Sequence, residues 1–119
     1  MLRYRDPESG LWLNVIDEPR VEGNLPESSG TAMMSYALLK GARLGFVPKA
    51  LAQIGAEIFE MLTRASLKGN ALTDVYLMAS ANGTDNYHRL DYYMPQEGKG
   101  VGPYIMAYAE MLKRDAAES

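Results

Sequence analysis

The residues best equipped for chemistry fall in two turns, each running into an apolar stretch. In Asn24-Leu-Pro-Glu-Ser-Ser-Gly30 the carboxylate of Glu27 stands beside the hydroxyls of Ser28 and Ser29. The three could line a pocket. The plainer reading is a helix cap, with Ser28 or Ser29 on the free backbone N–H groups and Glu27 beside the positive helix end. In Gly98-Lys-Gly-Val-Gly102 the glycines resemble a phosphate-cradling loop, but no Gly-Lys-Ser/Thr follows and no clear strand leads in. They read better as permitting tight backbone approach where a helix starts. Lys99 could still meet a carboxylate. His88, flanked by Tyr87 and Arg89, could act as an acid or base with Asp85 or Asp91. A solvated loop histidine is the plainer reading, because no second element repeats the constellation. Tyr92 and Tyr93 could stack on a sugar ring or pair as buried aromatics over helix ends. No Ser–His–Asp arrangement follows from the spacing. With no cysteine and one histidine, a structural zinc site is argued against, and no metal or cofactor is expected.

The elements that must position these residues can be read from periodicity. Asp6-Pro-Glu-Ser-Gly10 is a turn, and Leu11 to Ile16 reads as a short strand holding Trp12, with Trp12 assigned to the core. A polar loop with Pro19, Gly23 and Pro26 leads to a first helix from Ser28 or Ser29 to about Leu44, stopped by Gly45. Lys40 and Arg43 sit in its last turns, where the helix dipole favours positive charge. A second helix opens around Pro48; Lys49, Gln53, Glu57, Glu60 and Arg64 mark its polar face. Leu72 to Met78 is a second strand candidate, and 79–100 a long irregular segment of the kind that is usually functional or covers something. A third helix runs from about Val101 to Arg114, and Asp115 to Ser119 reads as a frayed end.

The first and third helices are apolar nearly all round, so each must be buried on every side. Two such helices in 119 residues is more buried surface than so short a chain easily covers. The order buried, surface, buried fits a ring of helical hairpins, with inner helices wrapped by outer ones. A plain three-helix bundle would have three amphipathic helices. The fold class expected is therefore mainly all-α, in one domain over 1–119, with short strands in the connections.

Composition narrows the partners. The net charge is −3 with scattered basic residues, which disfavours nucleic acid and anionic membranes. No run approaches the roughly 20 apolar residues of a membrane span. Charges interrupt Met1 to Asp6, so it does not read as a signal peptide, and the lack of cysteine suits a reducing cytoplasm.

Four ordered motifs carry a resemblance that covers nearly the whole chain. They are Tyr4-Arg-Asp-Pro-Glu-Ser-Gly-Leu-Trp12, Asn24-x-x-Glu-Ser-Ser-Gly30, Tyr36-Ala-Leu-Leu-Lys-Gly41, and Gly100-Val-Gly-Pro-Tyr-Ile-Met-Ala107 with Glu110. Together they resemble glycoside hydrolase family 105, the unsaturated rhamnogalacturonyl and glucuronyl hydrolases. The resemblance implies an (α/α)6 barrel, of which this chain would supply the last third as inner, outer and inner helices. Members of that family hydrate the C4=C5 double bond of the terminal uronic acid that polysaccharide lyases leave behind. An aspartic acid protonates one carbon, water adds at the other, and the hemiketal collapses to release the sugar.

The family's catalytic aspartate, and most of its sugar-holding histidine, arginine and tryptophan residues, belong to the first half of the barrel. Nothing here matches those motifs, so no catalytic residue is carried over. Met1 to Arg5 resembles the tail of a preceding outer helix, and Tyr93 to Gly98 is several residues shorter than the family's usual segment. The resemblance makes Glu27, Ser28, Lys99 and Tyr93 candidate contacts to an acidic sugar, at the end where inner helices begin. It implies a chain inactive alone. A second reading is a self-associating or carbohydrate-binding module derived from the barrel, with Met33, Leu38, Ile105 and Met106 exposed. Either way, a homo-oligomer or a heteromer with an N-terminal partner is expected.

Overall fold

A computed structural model describes residues 1–20, 22, 24–76, 93–94 and 98–118. Three α-helices make up most of it: α1 (Ser28–Leu44), α2 (Leu51–Ser66) and α3 (Gly98–Glu118). Four two-residue strands form two antiparallel pairs: β1 (Leu67–Lys68) with β2 (Ala71–Leu72), and β3 (Val75–Tyr76) with β4 (Tyr93–Met94). The long segment that holds Asp85, His88, Asp91 and Tyr92 lies outside the described residues, as does the end of the strand expected to reach Met78.

Helix α1 stops where glycine allows it to. Gly45 takes φ 82°, and the amides of Gly45 and Phe46 return to the carbonyls of Ala42 and Gly41, closing the last turn. The start differs from expectation, because neither serine is the cap. Glu27 caps the helix with its own carboxylate, taking the amides of Ser29 (3.1 Å) and Gly30 (2.7 Å). Ser28 instead donates its hydroxyl to Thr73 O at 2.5 Å, a tertiary bond across 45 residues. Helix α2 begins at Leu51 rather than Pro48, since Leu51 N and Ala52 N bond back three residues to Pro48 O and Lys49 O. Helix α3 is longer than expected at both ends: it absorbs Gly98 to Gly100, and it runs through the supposedly frayed tail to Glu118.

The stretch Leu11–Ile16 does not form the expected strand, since bends flank a single bridge residue. Asn14 N donates to Leu25 O and Glu27 N to Trp12 O, with one bridge between Leu13 and Pro26. Proline has no N–H to extend the ladder. The Asn24 side chain replaces the next rung, accepting from Val15 N and donating to Val15 O. Trp12 is buried as expected and packs with Leu38 and Ile58 beneath Met34, Leu51 and Ile54. Leu72 to Tyr76 is broken at Asp74, whose φ of 62° splits it into β2 and β3.

Contacts at both ends fix the helix directions. Ser28 N meets Asp74 O, and a side chain on Gly100 would collide with Val75, so α1 and α3 both start beside β3. Arg114 of α3 reaches Gln53 near the start of α2, while Tyr104 near the start of α3 reaches Thr63 near the end of α2. Helices α1 and α3 therefore run parallel, and α2 returns against both. Phe59 stacks on Tyr104 with centroids 5.0 Å apart.

The all-round burial expected of α1 and α3 is only half met. Helix α3 buries Gly100, Ala107 and Glu110, yet Ile105, Met106, Tyr108 and Leu112 are about half exposed, as is Met33 of α1. Leu38, expected among the bare residues, is buried because it faces Trp12 and Ile58.

Candidate functional site

Each parallel inner helix presents a positive end to the same side of the molecule. The strand β3 and Asp74 just before it anchor that side. Asp74 holds the left-handed conformation because its neighbours over-determine it. Its backbone O takes Ser28 N, and its Oδ2 takes the hydroxyls of Ser66 (3.3 Å) and Thr73 (3.0 Å). Aspartate tolerates this conformation through such local bonds.

The four candidate residues all fall within reach of that anchor along the chain. Glu27 is nearly buried at the start of α1, and Ser28 is fully buried beside it with its proton committed to Thr73 O. Lys99 is exposed on the first turn of α3, next to the glycine that abuts Val75. Tyr93 pairs with Tyr76 in the β3–β4 ladder. The fold thus brings the four to one end. Sequence reasoning missed Thr73 and Asp74, which set the docking of α1 there. The signal was an aspartate in the middle of an expected strand, where that residue is depleted.

Beside Glu27 a cleft of about 280 Å³ opens between Trp12, Asn14, Gly30, Met33 and Met34. Its walls are mostly apolar, with a carboxylate and an amide as polar groups. Asn14 Nδ2 is buried with no hydrogen-bond partner among the described residues, a donor costly to leave unmet. Among the described residues no three His, Asp or Glu side chains stand close enough to hold a metal ion, and no helix is long and apolar enough to cross a membrane.

The strongest charge interaction lies at the other end. Glu110 is 3% exposed, and its two oxygens take Arg43 Nε (2.8 Å) and Nη2 (2.9 Å), with Lys113 Nζ at 3.4 Å. The bonds from Arg43 hold its carboxyl below the ordinary value of 4.5, against the opposing effect of burial and with help from Lys113. Arg43 was expected only to complement the helix dipole; it is instead a clamp between α1 and α3.

The chain's sequence fits the family described as Glycosyl Hydrolase Family 88 over residues 1–115. Protein Atu3128 of Agrobacterium fabrum and a 24.9 kDa protein in the picA locus of Rhizobium radiobacter are each 38% identical to it over 125 aligned residues. That alignment takes in 91% of this chain and 54% of each of theirs. The solved structure of a C. acetobutylicum glycoside hydrolase from family 105 superimposes with a TM-score of 0.78 at 31% identity, over 92% of this chain and 33% of that one. The chain therefore spans about half the length of the curated relatives it matches and a third of the solved hydrolase. Its fold is mainly helical, an inner–outer–inner part of an (α/α)6 toroid.

Proposed function

Because this chain belongs to glycosyl hydrolase family 88, we propose that it supplies the C-terminal third of a barrel that hydrates the C4=C5 bond of lyase-generated uronyl oligosaccharides. The observation that carries this reading is the convergence of two inner-helix starts on one end. Glu27, Ser28, Lys99 and Tyr93 all belong to that end. The positive start of α3 and Lys99 favour an acidic sugar there, while the Glu27 carboxylate already answers the start of α1. The aspartate that would protonate the double bond belongs to the part of the barrel this chain does not resemble. Alone, the chain is inactive.

The test is an assay on unsaturated rhamnogalacturonyl and glucuronyl disaccharides, following loss of the conjugated double bond by ultraviolet absorbance. No turnover is expected from this chain by itself. Turnover is expected once an N-terminal part bearing the catalytic aspartate is co-expressed with it. Activity of the isolated chain would sink the reading.

A second reading has its own observation, the bare apolar residues of α3. It makes the chain a non-catalytic module that self-associates or holds carbohydrate. Calorimetry with uronic acid oligosaccharides separates the two parts of that reading, since binding without turnover supports a carbohydrate-holding role. The lack of cysteine fits a cytoplasmic setting for either.

A further inference from the structure

At the end remote from the candidate site, the last turns of α1 and α3 diverge from the start of α2 and leave a cleft of about 240 Å³. Its floor is apolar, built from Leu39, Ala42, Ala52 and Ala117. Four cations surround it: Arg43, Lys49, Lys113 and Arg114. Both carboxylates in its wall are already engaged, Glu110 by Arg43 and Lys113, and Glu118 by Arg114 at 3.3 Å. The exposed side chain of Lys49 makes no hydrogen bond or ion pair with any described residue. The cleft is therefore apolar inside and net positive at its edge, with one cation uncommitted.

We propose that this cleft binds a small organic monoanion, a carboxylate on a compact apolar or aromatic body, with Lys49 meeting the carboxylate. The volume suits the body: it falls just below the roughly 300 Å³ at which drug-sized pockets begin, so only a small ligand fits. The charge suits the head, because a carboxylate there completes the pairing of Lys49 without disturbing the Arg43–Glu110 clamp. A neutral sugar fits neither feature, and a bare phosphate leaves the floor uncovered. All ten lining residues come from the three helices and the turn between α1 and α2. It is independent of the hydrolase reading.

The probe is phenylacetate, followed by calorimetry and by saturation-transfer NMR on the intact chain. Binding is expected for phenylacetate, with benzyl alcohol and inorganic phosphate each weaker by roughly tenfold or more. Lys49→Gln should weaken phenylacetate by roughly tenfold, and Ala52→Phe, which fills the floor, should abolish binding. Each variant's circular dichroism spectrum checks that it still folds. The proposal is overturned if phenylacetate does not bind at millimolar concentration, if benzyl alcohol binds equally well, or if neither substitution changes the affinity.

Discussion

Glu110 shows what a buried charge demands of its surroundings. It stands on an inner helix between Tyr108 and Leu112, and the two bonds from Arg43, with a longer one from Lys113, make its burial tolerable. The two partners are not equivalent. Arg43 stays 39% exposed and can turn to water, whereas Glu110 at 3% cannot. Glu110→Gln should therefore cost about 1–2 kcal/mol in urea unfolding, the net worth of a charge-assisted pair. Arg43→Gln should lower the urea midpoint further, because it strands the carboxylate with Lys113 alone. Equal midpoints for the two variants would contradict this asymmetry. The pH dependence follows from the same contact. The folded carboxyl is held below its ordinary 4.5, so its contribution is fully present above that value and is lost as pH falls through the folded value. Asp6, lowered by its hydrogen bonds from Ser9, acts in the same direction. As pH falls below the ordinary value of 4.5, the wild-type chain should lose stability more steeply than Glu110→Gln. At this scale the sequence was half legible. A lone glutamate in an apolar helix announces a partner, but nothing in the spacing identifies one 67 residues away. Glu27 was misjudged for a related reason. Serine is the better intrinsic cap, yet the bond from Ser28 to Thr73 O takes that serine elsewhere and leaves the carboxylate to cap the helix.

Glycines decide how closely the elements approach. A methyl group on Gly100 would collide with Val75, whereas one on Gly102, a half-turn on in the same helix, meets nothing within 4 Å. Helix propensity alone favours alanine at both positions by up to about 1 kcal/mol. Packing reverses the sign at one of them. Gly100→Ala should destabilise the chain by about 1–3 kcal/mol, since α3 must lift off β3. Gly102→Ala should cost clearly less, because nothing stands within 4 Å of the added methyl, and Pro103 next to it removes the usual helical gain. In thermal melts Gly100→Ala should fall well below Gly102→Ala, and equal losses would mean that α3 does not dock as described. Propensity and periodicity made the helices themselves readable. Gly45 ended α1 where the pattern said, and the polar stripe of Lys49 to Arg64 marked α2. Short strands in the connections were expected, but their pairing and breaks were not readable, because they depend on single tertiary events. One is Pro26, which ends the ladder opposite Leu13; another is Asp74, whose φ of 62° is set by Ser28, Ser66 and Thr73.

On the scale of the whole molecule, the uncovered face of α3 is the feature that most needs an occupant. Ile105, Tyr108 and Leu112 fall at spacings of three and four, so they form one apolar stripe along the helix. Met106 and, on α1, Met33 are bare as well. Contiguous apolar surface of this kind marks an interface. In the solved family 105 hydrolase the matched region is one third of the chain, which leaves ample protein to close the ring. In each of the two curated relatives the matched region is 54% of the chain. A chain with a bare stripe has two ways to bury it: against an N-terminal partner, or against a second copy of itself. The two compete for the same residues, which makes them separable. Light scattering on the isolated chain should give a mass that rises with concentration. Ile105→Glu combined with Leu112→Glu should return that mass to one chain's, with the helical signal retained. Adding a co-expressed N-terminal part should also dissolve the self-association, because it occupies the stripe. A wild-type chain that stays monomeric at every concentration would mean that the stripe does not pair with a second copy. A self-associated chain that ignores the N-terminal part would mean that the two surfaces differ.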